Sequence, residues 1–316
     1  MIVFGPVPSR RLGRSLGVNN IPPKHCSYSC AYCQVGRTRN LEVQRSEFYE
    51  PEHILAEVRA RVEAVLKGGE AIDYLSFVPD GEPTLDARLD RAIRLLKTLQ
   101  IPIAVISNAS LLDSREVRRA LCLADWVSLK LDAAADKPWR RVNHPDRSLR
   151  LPAILDGMKA FAAEFSGRLV TETMLVPGIN DGGEEVSRIA AFLRALNPAV
   201  SYLSVPLRPP AEAWITVPEG SVVLRAYQVF AAHGLNAELL TGSEGEAFSA
   251  SGRLEEDLLS ITAVHPMRRR AVEALLDRNG ADWASVQRLL DQGRLVENRY
   301  RGETFYLRRL PASARE

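Results

Sequence analysis

Cys26, Cys30 and Cys33 stand within eight residues, in the spacing C-x3-C-x2-C. A thiolate is a soft, anionic ligand, so three on one tight loop point to metal chemistry. They can hold three irons of a [4Fe-4S] cube and leave the fourth open to a small ligand, whereas clusters that only carry electrons take four cysteines. Two other readings stay open here. Structural zinc wants four ligands, as two C-x2-C pairs or with histidines; His25 abuts Cys26 too closely to close a tetrahedron with it, and His53 is remote in sequence. Three unrelated buried thiols is the other, against which stands their clustering at this spacing after a first strand. Cys122, between Leu121 and Leu123 in a short helical pattern, reads as a buried thiol. Four cysteines in 316 residues neither form nor need a disulfide framework in a reducing compartment.

The loop lies in basic surroundings. Residues 1–45 carry seven Lys and Arg against Glu42 alone, in a chain whose formal net charge is only +2. That excess suits an anionic cofactor or substrate, although a solvated basic face explains any single arginine equally well. The composition, 46% hydrophobic and 25% charged, is that of a globular protein. No run of about 18 apolar residues exists to cross a membrane. The opening Met1–Pro6 lacks a secretory pattern, so a cytoplasmic location is expected.

Such a loop needs a scaffold, and the periodicity supplies one. Strand-like runs at Ser15–Asn20, Ile72–Val78, Ile103–Ile106, Trp126–Leu131, Arg168–Val176 and Val200–Val205 alternate with helical runs. The helices are expected at Pro51–Lys67, Asp86–Leu99, Asp113–Leu121, Pro152–Phe165, Glu184–Leu196 and Val222–His233. Pro51 suits a first helical turn and Gly68-Gly69 a stop. Six βα units make an α/β fold with a parallel sheet, either doubly wound or an incomplete barrel. Both architectures put chemistry just beyond the carboxyl ends of the strands. After residue 240 the pattern changes. Residues 241–253, rich in Gly, Ser and Glu, read as a linker; 254–316 read as three helices, the second over Met267–Asp277, and a hairpin, Arg294–Tyr300 with Glu303–Arg309. That order is winged-helix-like.

C-x3-C-x-aromatic-C after the first strand of a six-unit βα chain resembles the radical S-adenosyl-L-methionine (SAM) enzymes, over about residues 1–235. The resemblance implies an incomplete (β/α)6 barrel in residues 1–240. It implies a [4Fe-4S] cluster on Cys26, Cys30 and Cys33, with SAM on its open iron. One electron, from a donor such as reduced flavodoxin or ferredoxin, would cleave SAM to a radical that takes hydrogen from a substrate, in oxidoreductase or transferase chemistry. Tyr32 matches an aromatic position near adenine. Asp80-Gly81-Glu82-Pro83 resembles the family's G-G-E-P turn for the SAM amino group, with Asp80 replacing the first glycine. Ser107-Asn108 resembles a site for the ribose or carboxylate. Ser128, Lys130 and Asp132 share one face of a strand; Lys130 aligns with a SAM-contacting lysine of glycyl-radical activating enzymes, and pairing with Asp132 or another carboxylate is its structural alternative. Val176–Asp181 and Val205–Arg208 also resemble those enzymes, and Arg208 could meet the SAM carboxylate or a substrate phosphate.

The stretches Gly5–Gly13, Gly81–Leu85, Leu129–Asp132 and Arg208–Pro210 together look like the wyosine-synthase-like group. Wyosine synthases need a second cluster on upstream cysteines. No cysteine precedes Cys26, so wyosine synthesis itself is not expected. The segment Trp139–Pro145 reads as a loop at the active mouth, with His144 an acid–base candidate beside Lys130 and Asp132. His265-Pro266-Met267 reads as the start of a helix without a catalytic role. Residues 254–316 hold 11 arginines, no lysine and 10 acids, which is less basic than a dedicated nucleic-acid module. The expectation is a radical SAM enzyme acting on RNA or protein. A cluster- or SAM-sensing regulator that binds DNA, and an activase of a glycyl-radical enzyme, are the alternatives.

Overall fold

In the computed structural model, which describes residues 2–242, 248 and 253–309, the alternating runs build one eight-stranded sheet. The chain enters through β1 (Val3–Ser9), antiparallel to β2 (Gly13–Val18). A small ribbon follows, β3 (His25–Cys26) beside β4 (Asn40–Leu41), and then α1 (Pro51–Lys67). The next units are β5 (Tyr74–Phe77) with α2 (Leu89–Leu96), β6 (Ile103–Ser107) with α3 (Arg115–Leu121), and β7 (Trp126–Lys130) with α4 (Asp136–Asn143) and α5 (Leu151–Glu164). Then come β8 (Arg168–Met174) with α6 (Gly183–Leu196), β9 (Val200–Ser204) with α7 (Gly220–Ala232), and β10 (Ala237–Leu240). The order is β1-β2-β5-β6-β7-β8-β9-β10, parallel from β2 onward. Among the described residues β1 and β10 share no ladder, so the barrel is open.

The six expected strands are all present, and the sheet gains one at each edge. Pro6 and Pro8 disguise β1 in the sequence, yet an edge strand tolerates proline because its outer N–H groups have no ladder to serve. β10 is four residues long and half exposed, with too short a pattern to read. Alternation sorts the side chains. On β7, Val127 and Leu129 pack outward against the helices, while Trp126 turns inward with Leu12, Ala104, Val170, Val200 and Tyr202. That inner plug fills the barrel and confines open space to the carboxyl ends of the strands. The segment expected as a loop around Trp139 is helical instead: Pro138 falls in the first turn of α4, where its missing N–H costs nothing.

Beyond the barrel, α8 (Leu254–Val264), β11 (Met267–Arg268), α9 (Arg269–Arg278), α10 (Ala284–Asp291), β12 (Leu295–Tyr300) and β13 (Glu303–Arg308) follow the order of a winged helix, with the sheet β11-β13-β12. Met267 therefore opens a two-residue strand rather than a helix, and the helix starts at Arg269. This module has its own core, including Leu258, Ile261, Val272, Leu275, Val286, Leu295 and Tyr306. Of the expected linker 241–253, only 241, 242, 248 and 253 are described, and Phe248 is buried in the module's core. α8 packs on β1. Arg61 of α1 ties the two together, donating to Gly5 O at 2.8 Å and to Asp257 Oδ1 at 3.1 Å. Among the described residues no helix is long and apolar enough to cross a membrane.

Candidate functional site

The cysteine loop leaves the small ribbon at β3 and is held from both sides. Ser29 N and Ala31 N donate to Asn143 O at 3.0 Å and Val142 O at 2.8 Å, and Thr38 Oγ1 donates to Tyr28 O at 2.7 Å. Cys26, Cys30 and Cys33 are half-buried and line one chamber. Burial raises all three thiol pKa values; burial and the nearby Asp132 carboxylate push Cys30 up to about 12. Thiols so disfavoured as bare anions are deprotonated by metal. Asn108 Nδ2 lies 3.6 Å from Cys26 Sγ and Asn143 Nδ2 lies 3.4 Å from Cys30 Sγ, so two sulfurs have amide donors. Among the described residues no three His, Cys, Asp or Glu side chains meet as the ligands of a single ion would. Three thiols that line one space fit a cluster in which each takes its own iron.

The turn after β5 forms the next edge of the chamber. A Cβ on Gly81 would sit 1.9 Å from His25 O, so only glycine lets this turn lie against the cysteine loop. Glu82 is buried. Its Oε1 accepts from Thr84 N at 3.1 Å, Thr84 Oγ1 at 2.7 Å and Ser107 Oγ at 2.8 Å, and its Oε2 accepts from Asn108 N at 2.7 Å. Glu82 therefore locks the β5 turn to the β6 turn, with acceptor capacity left mainly on Oε2. Asp80, the departure from the family wording, has a partner that the sequence did not disclose: Lys24 Nζ lies 3.1 Å from its Oδ1, both side chains being buried. Burial lifts Asp80 to about 6 against the pull of the Lys24 ammonium. Asp80 Oδ2 has no hydrogen-bond partner among the described residues.

On the opposite wall, Lys130 Nζ lies 3.2 Å from Glu172 Oε1 and 4.9 Å from the centre of the Tyr32 ring. Glu172 also takes Arg11 and accepts from Ser204 Oγ at 3.0 Å. Burial would raise this carboxyl, but Lys130 and Arg11 hold it down to about 2. Glu172 was missed in the sequence; the available signal was a glutamate inside a buried strand, which must find a cation. Asp132 does not pair with Lys130. Its Oδ2 accepts from Tyr32 OH and from Asn143 Nδ2 at 2.7 Å, and its Oδ1 accepts from Met174 N at 2.8 Å. It is absent from the chamber lining, so the expected catalytic carboxylate is a brace behind Tyr32. Ser128 shares the inward face with Lys130 but lies deeper, buried and outside the lining. His144 is the left-handed cap of α4 and its side chain is likewise outside the lining. The positive φ turns the chain there, which removes it from the mouth.

The chamber has a volume of about 330 Å³, and the C-terminal module roofs it. Phe248, Val264, Pro266, Met267, Ala271 and Phe305 line the roof, with His265 and Arg268. Arg208 stands at the seam, donating to Gln34 Oε1 at 2.7 Å and meeting His265 Nε2 at 3.0 Å. Gln34 Nε2 donates to Val264 O at 3.1 Å, and Tyr300 OH to Pro206 O at 2.9 Å. The tail thus belongs to the site, and His265, set aside in the sequence, is part of its wall. No motif spacing could disclose this, because it depends on how two distinct cores pack together.

The profile of the Radical SAM superfamily matches residues 20–193. The UPF0026 protein MJ1312 of Methanocaldococcus jannaschii is 43% identical over 311 residues, covering 98% of this chain and 96% of its own length. A radical SAM methyltransferase from Sphaerobacter thermophilus shares the fold with a TM-score of 0.56 at 20% identity, over 72% of this chain and 66% of that one. TYW1 with a lysine-pyruvate adduct bound does so at 0.51 and 19% identity, over 69% and 73%.

Proposed function

Because the chain belongs to the radical SAM superfamily, whose enzymes use a [4Fe-4S] cluster and SAM, we propose that Cys26, Cys30 and Cys33 hold the cluster and that the chamber above them takes SAM and substrate together. The observation that carries the reading is convergence. The three thiols line one chamber with the turns that follow β5, β6 and β9 and with the end of β7. When bound and reduced, the cluster supplies the electron that breaks a carbon–sulfur bond of SAM.

The chain's own residues bind, orient and shield. Asn108 and Asn143 donate to cysteine sulfurs, which favours the thiolate form. Gly81 lets backbone approach the SAM amino group, and Glu82 Oε2 offers the acceptor for it. Lys24 and Asp80 add one charge of each sign for the zwitterionic end of SAM. Tyr32 backs the adenine region, held by Asp132, and Lys130 keeps its proton between Glu172 and Tyr32. The roof excludes water from a radical reaction. The electron donor is a reduced flavodoxin or ferredoxin, and the substrate is a group of an RNA or protein small enough to enter beneath the roof. Against the DNA-binding regulator, the wing is engaged with the barrel: Tyr300 OH bonds Pro206 O.

Anaerobic reconstitution followed by dithionite and SAM should release 5′-deoxyadenosine, or another SAM cleavage product, beyond one equivalent. A fully loaded cluster that neither binds nor cleaves SAM would overturn the reading.

A further inference from the structure

Gln34 follows Cys33 directly and spends both ends of its amide on the far side of the chamber. Its nitrogen donates to Val264 O, the last residue of α8, and its oxygen accepts from Arg208, whose other nitrogen meets His265. One side chain of the cysteine loop therefore grips the roof directly and through Arg208. Two other ties of the roof among the described residues, Arg61 to Asp257 and Tyr300 to Pro206, leave from α1 and from the turn after β9. The loop around Gln34 is short and turns tightly, with Cys33 N on Cys30 O at 3.0 Å and Gly36 N on Cys33 O at 3.1 Å. Anything that fixes the Cys33 side chain fixes the backbone from which Gln34 projects.

We propose that Gln34 is a positioning residue that couples cluster occupancy to closure of the C-terminal roof. A loaded cluster holds the Cys30–Gly36 turn in the geometry where Gln34 reaches Val264 and Arg208 together, and the chamber closes. An unloaded loop samples other geometries, the two bonds break in concert, and the roof opens. Because the coupling is thermodynamic it runs both ways: a docked roof holds the cluster more firmly by the same factor by which the cluster closes the roof. The enzyme thereby shuts its radical chamber only when it carries the group that can start the chemistry.

This inference rests on the cluster assignment above, and the experiment separates the two. Amide hydrogen exchange of residues 254–268 is measured on the full chain before and after anaerobic reconstitution, with iron and sulfide counted. In the wild type, loading should slow exchange in this segment by about tenfold, within the range usual for coupled sites. In Gln34→Ala, loading should slow it less than about twofold, and in equilibrium competition with a chelator the cluster should be held about tenfold less firmly than in wild type. Gln34→Glu keeps the acceptor for Arg208 and loses the donor to Val264, so it should fall between. Tyr300→Phe is the control: it should speed exchange equally with and without cluster, leaving the ratio unchanged. Equal protection of wild type and Gln34→Ala on loading, or a loaded wild type with no added protection, overturns the coupling. A wild type that takes up no cluster overturns the assignment of the cysteines instead.

Discussion

On the floor of the chamber the carboxylates of Glu82, Asp132 and Glu172 are each held by several partners at once. The roof is held over it by a few bonds between segments far apart in sequence. Glu82 alone accepts four hydrogen bonds, and Asp132 three. The roof relies on Arg61, Gln34, Arg208 and Tyr300, backed by packing of α8 on β1. The difference tracks the work of each part. A floor that orients SAM on a cluster must be fixed to a fraction of an ångström, while a roof that admits substrate must part at modest cost. Substitutions should therefore have graded outcomes, largest on the floor.

The largest effect belongs to Cys30→Ala. Two thiolates cannot hold a cube that needs three, so iron content and the visible absorbance of the reconstituted protein should fall to background, while circular dichroism shows a folded barrel. Retention of a full cluster by this variant would remove Cys30 from the site.

Glu172→Gln comes next. A carboxyl held from 4.5 down to about 2 by Lys130 and Arg11 corresponds to about 3 kcal/mol of stability at neutral pH, at about 1.4 kcal/mol per unit. The sign follows from the depressed folded-state pKa. The contribution is complete above the unfolded value of 4.5 and is lost as pH falls towards about 2. Urea unfolding should show the variant less stable by about 3 kcal/mol near neutral pH, with the gap narrowing at about pH 3. A gap that is constant with pH would mean that packing, not charge, holds Glu172.

Gly81→Ala tests the floor by shape. With a Cβ placed 1.9 Å from His25 O, the turn must shift away from the cysteine loop. SAM affinity, measured by equilibrium binding to the loaded protein, should fall at least about tenfold, with iron content unchanged. Loss of iron in parallel would show that the two turns act as one unit.

These contrasts also explain what the sequence disclosed. The cluster spacing, the β5 turn and Lys130 were legible because local chain geometry decides them: residues a few apart on one loop, or two apart on one strand, must share a space. Asp132 misled for the same reason in reverse. Period two placed it on the face of Lys130, but Tyr32 and Asn143, 100 and 11 residues away in sequence, claim its oxygens. Lys24 and Glu172 were passed over because a buried charge is recognised by its partner, and the partner is long-range. The roof lay beyond reach altogether, since Met267 and Phe305 read as ordinary core of a small module until the module is set on the barrel.

The smallest effect should come from the roof. Tyr300→Phe removes one hydrogen bond to Pro206 O at a half-buried site and leaves the ring in place. Such a bond contributes about 1 kcal/mol, a factor of about five in the population of the open roof. Hydrogen exchange in β12 and β13 should quicken by that factor, while iron content and SAM affinity stay at wild-type values because the bond ends on a backbone carbonyl of the turn after β9 and on none of the side chains proposed to hold the cluster or SAM. If the variant also weakened SAM binding tenfold, the roof would be part of the cofactor site rather than a cover over it, and the division between the two walls would fail at the residue where it is most easily tested.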